Sequence, residues 1–251
     1  MTDAVLRASL QILSRLLSKH YSQKVILLID EYDVPLDKAF QGGYYDEMVN
    51  LICNLFGNVL KTNDSLYFAV LTGCLRISEE SIFTGLNNLK VHTISGTWYD
   101  EFFGFTDADV DEILKYYGLT SYKDVIRDWY DGYRFGKTNV NCPWGVIHYC
   151  DELLADPTVP PKNYWANTSG NELILRFLSK ADRTTKYEVE ELLNGGKLIK
   201  KVRQELTCRD IEDSVGNMWS GLYSTGYLTG KHGGSGRCEH IQALDSKLRD
   251  P

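Results

Sequence analysis

The sequence has no apolar run near the ~20 residues that a membrane-spanning helix needs. It also has no signal-peptide pattern. The opening stretch, MTDAVLRASLQILSRLLSKH, shows no apolar core followed by small residues. That stretch reads instead as an amphipathic helix ending near Ser18, with Leu6, Leu10, Leu13 and Leu17 on one face. A cytoplasmic protein is the expectation. Positive charge is scarce: 27 Lys and Arg stand against 34 Asp and Glu, for a net charge of −7. Without a basic block to neutralise phosphates, general nucleic-acid binding is disfavoured. The six cysteines, Cys53, Cys74, Cys142, Cys150, Cys208 and Cys238, include no CxxC pair, so reduced thiols are expected. The grouping nearest to a metal set, Cys142, His148 and Cys150, matches no common zinc spacing. No internal repeat is present.

Also missing is GxxxxGK[ST], the loop whose backbone amides cradle nucleotide phosphates. The nearest stretch is GYRFGKT, Gly132 to Thr138. It has three residues, Tyr133, Arg134 and Phe135, where the motif needs four. It follows a helical pattern rather than an apolar strand, and no helix starts directly after it. Lys137 is therefore not expected to bind phosphate. Trp129, Tyr130 and Tyr133 are expected to pack, with their polar tips finding partners.

What is present is an ordinary globular composition, 43% hydrophobic and 24% charged. The 251 residues suffice for one large domain, or one domain and a smaller one. The first part alternates strand and helix. VILLID is a strand, Tyr44 to Lys61 a helix, Ser65 to Gly73 a second strand and VHTIS, Val91 to Ser95, a third. That alternation predicts a parallel sheet with crossover helices. Beyond about residue 104 helices dominate. TDADVDEILKYYG has Thr106 as N-cap and Gly118 as stop. SYKDVIRDWYDGY follows, then PWGVIHYCDELLA with Pro143 at its first turn, then NELILRFLSKA and KYEVEELLNGG. The expected division is 1–104, 105–229 and a loose polar tail over 230–251.

The stretch VILLIDEYDVPL, Val25 to Leu36, carries the clearest chemical signal. Five apolar residues run into Asp30, Glu31 and Asp33. In open α/β sheets ligands bind beyond the carboxyl ends of the strands. An Asp-Glu pair there suits a nucleotide hydrolase: the Asp holds magnesium largely through water, and the Glu polarises a water for attack on phosphate. The alternative is a strand followed by an acidic, solvated loop, and the pattern alone leaves both open.

Further segments join it: YFAVLTGCLRISEESIFTGLNNL, WYDGYRFGKTNVNCPWGVIHY and MWSGLYSTGYLT. With VILLIDEYDVPLDKAF they form a series, from about Val25 to Thr229, that resembles the bacterial AAA-ATPase-like family. Members of that family often carry a restriction-type nuclease domain at the C-terminus. The resemblance implies an α/β fold: an incomplete P-loop NTPase parallel sheet followed by a mainly helical second region. It implies Asp30 as the Walker B magnesium acid and Glu31 as the catalytic base. It also implies Thr72 as a sensor of the terminal phosphate, and Mg2+ and ATP as cofactors. Arg76 would neutralise charge in phosphoryl transfer; a surface or capping arginine is its other reading. Asn87 and Asn88 match a family signature or shape a turn.

The chain is expected to be a central piece of a longer ancestral protein, or a reading frame with both ends misplaced, without the phosphate loop and without a nuclease domain. Asp245 and Lys247 in ALDSKLRDP, and Leu36-Asp37-Lys38, do not supply the nuclease pattern. Weak or no ATP binding by the isolated chain is expected. Two other readings stay open: a non-catalytic module that docks a protein partner or self-associates through its aromatic content (12%, sixteen tyrosines), and a metal-dependent nuclease using Asp30, Glu31 and Asp33. Against the nuclease reading, Asp33 is expected to shape the loop before Pro35.

Overall fold

The computed structural model describes residues 2–74, 89–164, 172–203, 206–232 and 238–243. The elements, in chain order, are α1 (Asp3–Tyr21), β1 (Val25–Ile29), α2 (Val34–Gly42), α3 (Tyr45–Leu60) and β2 (Leu66–Leu71). Then come α4 (Asp107–Tyr117), α5 (Lys123–Tyr130), β3 (Tyr133–Phe135), β4 (Thr138–Val140) and α6 (Pro143–Ala155). The last are α7 (Glu172–Lys180), α8 (Arg183–Leu193), β5 (Leu198–Lys201), α9 (Cys208–Asp213), α10 (Val215–Ser224), β6 (Leu228–His232) and β7 (Cys238–Ala243). The chain is mixed α/β. No helix among the described residues is long and apolar enough to cross a membrane. The chain divides into two compact units, residues 1–91 with 203–217, and residues 92–202 with 218–251.

In the first unit β1 and β2 pair in parallel, from Ile26 opposite Phe68 to Ile29 opposite Leu71. One face of this small sheet, with Leu27, Ile29, Leu66, Ala69 and Leu71, packs on a core of Leu36, Ile52, Phe56 and Val59. The apolar stripe of α3, over Val49, Ile52, Phe56 and Val59, gives that core its helix-spaced row. The stripe expected on α1 is rotated. Leu6 and Leu13 are exposed, and Ser14 is buried with Leu10 against the core. Polar contacts set this face: Asn58 Nδ2 donates to the Arg7 carbonyl at 3.0 Å and Asn63 Nδ2 to Ser14 Oγ at 2.9 Å. α2 lies inside a stretch that carried no helix prediction. Arg209 of α9 bonds Asp46 at 2.5 Å and lies 5.0 Å from the Tyr45 ring centre.

The second unit starts with an irregular stretch where VHTIS predicts a strand. Its backbone is used otherwise: Gly96 N–H donates to the Thr93 carbonyl, and the Ile94 carbonyl accepts from Gly136 N–H, both at 2.8 Å. α4 carries the predicted caps, with a reciprocal Thr106–Asp109 capping box and a left-handed Gly118. It packs with α5 and α6 around Val110, Leu114, Ile126, Val146 and Tyr149. Pro143 opens α6 as expected. Tyr130 is buried and its hydroxyl donates to the Lys162 carbonyl at 3.0 Å, while Tyr133 reaches the Gly226 carbonyl at 3.3 Å. Part of the stretch expected as a loose tail is strand. β7 lies between β5 and β6, antiparallel to both.

Candidate functional site

The first unit brings its acids to the place that the strand pattern predicts. β1 ends at Ile29, so Asp30 is the first residue beyond the carboxyl end. β2 runs parallel and ends at Leu71, so Thr72 is the first residue beyond that end. Residues 42 apart in sequence thus meet. The Thr72 hydroxyl donates to Asp30 Oδ1, and the same oxygen accepts the Glu31 N–H at 3.0 Å. The backbone ladder continues past both strands: Thr72 N–H donates to the Ile29 carbonyl at 2.9 Å and Tyr32 N–H to the Thr72 carbonyl at 3.0 Å. Asp30 is held in orientation from two sides, yet it remains solvent-exposed, as does Glu31.

Glu31 has a left-handed backbone, with φ of 51°. A non-glycine residue there costs about 1–2 kcal/mol, and such outliers gather at functional sites. The chain then turns and enters α2. Asp33, at the start of α2, is buried. Its carbonyl accepts the N–H groups of Leu36 and Asp37, each at 3.0 Å, so it forms the entry to the helix.

Gly73 is part of the site, although its sequence signal was only that of a strand end. A Cβ at this position would lie 2.5 Å from Asp33 Oδ1 and 2.8 Å from the Tyr32 ring. Only a glycine lets the segment after β2 come this close to the turn after β1. Arg76, Asn87, Asn88, Asp245 and Lys247 lie outside the described residues. GYRFGKT forms the β3–β4 hairpin, paired from Tyr133 opposite Val140 to Phe135 opposite Thr138. Lys137 sits in its turn, exposed, with its N–H donating to Asp100 Oδ2 at 3.0 Å.

Magnesium keeps several of its waters and needs only one or two carboxylates, completing its shell with substrate phosphates. A single oriented and exposed Asp beside an exposed Glu fits that requirement. A cation held by protein ligands alone would need more. Among the described residues no group of three or more His, Cys, Asp or Glu is placed to hold a metal ion.

Comparison with known proteins bears on the same segment. Residues 2–83 match the model of the AAA-ATPase-like family, described as a predicted AAA-ATPase. The chain is also 30% identical over 161 residues to a protein of Azotobacter chroococcum mcd 1, described as an uncharacterized protein in the vnfD 5' region. That match covers 63% of this chain and 30% of the relative, so the chain spans less than a third of the length of this curated relative. No solved structure matches the chain.

Proposed function

From the AAA-ATPase-like character of residues 2–83, we propose that the edge formed by Asp30, Glu31 and Thr72 is the acid side of a magnesium–nucleotide site. The observation that supports this most is the side-chain bond between Asp30 and Thr72 at the carboxyl ends of two parallel strands. Asp30 would hold the ion, with Thr72 and the Glu31 amide fixing its carboxylate. Glu31 would take the proton of an attacking water. Thr72 would sense the terminal phosphate, and Arg76 would supply the cation. The ion, when bound, supplies neutralisation of phosphate charge. The 251 residues hold no GxxxxGK[ST] loop, so these residues by themselves are expected to bind the ion–nucleotide pair weakly. Their affinity should lie on the order of millimolar, about 4 kcal/mol.

The test uses Mn2+–ATP as a paramagnetic probe. At millimolar probe, broadening of the amide resonances of Asp30, Glu31 and Thr72 is expected. Asp30→Ala should abolish the broadening, and Glu31→Gln should retain it. Absence of broadening at these residues, or broadening that survives Asp30→Ala or centres on Lys137, would overturn the reading.

A further inference from the structure

We propose that the aromatic turn over Trp98–Phe103 in the second unit is a docking surface for a basic, apolar-faced segment of a partner protein. Four large aromatic side chains are exposed within six residues: Trp98 (62%), Tyr99 (53%), Phe102 (70%) and Phe103 (67%). Trp98, Tyr99 and Phe102, with His92, form a continuous row of neighbouring rings. Ring centres are 6.3 Å apart for Trp98 and Tyr99, 6.2 Å for Tyr99 and Phe102, and 5.1 Å for His92 and Tyr99. Single exposed apolar residues are normal, but contiguous exposed patches rimmed by polar residues mark interaction sites. Aromatic side chains in particular are enriched at such sites.

The turn is built to present these rings. Phe102 N–H donates to the Tyr99 carbonyl at 3.2 Å, and Asp100 Oδ2 accepts from the Lys137 amide at 3.0 Å. Phe105 is bridged to Asn141 on both sides, with bonds of 3.0 and 2.7 Å. The segment is therefore anchored to the β3–β4 hairpin at several points. Tyr99 is held at φ of 64°, a left-handed conformation that a tyrosine adopts only when its surroundings enforce it.

Charge selects the occupant. Beside the rings is a shallow cavity of about 350 Å³, lined by Phe102, Phe105 and Ile113 together with Glu101, Asp109 and Glu112. From Trp98 to Tyr117 the sequence has six acids, Asp100, Glu101, Asp107, Asp109, Asp111 and Glu112, against one base, Lys115. Lys123 neutralises Asp111 at 2.6 Å. A nucleic acid or an anionic membrane would be repelled. A second copy would bring the same acids to face these, on a chain whose net charge is −7. A segment carrying Lys or Arg among apolar side chains fits. Its cations can sit over the ring faces, its aliphatic stems can cover the patch, and its charges can meet the acidic rim.

The probe is an amphipathic leucine–lysine peptide, compared with a leucine–glutamate peptide of the same pattern, and binding is followed by NMR shifts of the intact chain. The lysine peptide is expected to bind, to shift the signals of residues 98–103 and to weaken as salt is raised. Phe102→Ser, and the pair Glu101→Lys with Glu112→Lys, should each weaken it about tenfold. Glu190→Lys, an exposed acid elsewhere in the unit, should leave it unchanged, and all variants should melt as the parent does. Equal binding of the glutamate peptide, shifts confined to other residues, or an equal loss in Glu190→Lys would overturn the proposal. So would a dimer in light scattering that Phe102→Ser dissolves, because it would assign the patch to a second copy.

Discussion

At the scale of single residues, the candidate site depends on Gly73 lying directly against the Asp33 and Tyr32 side chains. Gly73→Ala places a methyl group against Asp33 Oδ1 and the Tyr32 ring. Asp33 is buried at the entry to α2, and the ring is not at the far end of a long, flexible chain, so neither yields freely. The variant should lose about 1–3 kcal/mol, read as a lower urea midpoint with an unchanged slope. A midpoint equal to the parent's would show that the turn relaxes at no cost. The sequence made the meeting of Asp30 and Thr72 legible, because each directly follows an apolar strand and parallel strands align their carboxyl ends. It did not make Gly73 legible as a spacer. That role depends on side chains about forty residues away, which no local pattern encodes.

At the scale of elements, local chemistry was legible where it is self-contained. The Thr106 capping box and the Gly118 stop read directly from the sequence because cap and helix are neighbours. Thr106→Ala should cost about 1 kcal/mol, measured as a shift of the urea midpoint, while Thr106→Ser should cost less. The rotated face of α1 and strand β7 were not legible. The first is set by Asn58 and Asn63 of its neighbourhood. The second, CEHIQA, has little apolar alternation and is strand because it is paired on both edges. A pH effect belongs to α6. Lys162 holds the Glu152 carboxyl below its ordinary range through bonds of 2.8 and 3.1 Å. A depressed folded-state pKa gives stability that is complete above the ordinary carboxylate value and is lost as pH falls through the folded value. Glu152→Gln should therefore lower the urea midpoint at pH 7, and the gap from the parent should close at strongly acid pH. Asp131 has the opposite sign. Burial raises its pKa despite the Gly132 N–H bond, so its contribution weakens as pH rises through the raised value. A gap for Glu152→Gln that persists in acid would show that the lost interaction is packing rather than charge.

At the scale of the whole molecule, each unit has its own core, but the first leaves apolar surface bare. Parallel sheets are normally covered on both faces. Among the described residues only the face with Leu27, Ile29, Ala69 and Leu71 meets a core. Ile26, Leu28, Phe68 and Val70 occupy the other face in register, and all four are exposed, Leu28 by 73%. The alternation along β1 and β2 would ordinarily place polar residues on an uncovered face; here both faces are apolar, as in a sheet with two covers. Exposed apolar surface of this kind binds anilinonaphthalene sulfonate and promotes association. Replacing Ile26 and Leu28 with threonine keeps a β-branched side chain at 26 and introduces one at 28, a shape that strands favour, while wetting the face. The double variant should bind less of the dye and stay soluble at higher concentration, with its thermal midpoint within a few degrees of the parent's, because little core packing is removed. A midpoint that collapses, with dye binding unchanged, would instead mean that these two side chains are buried in solution and that the parent's sheet is already covered.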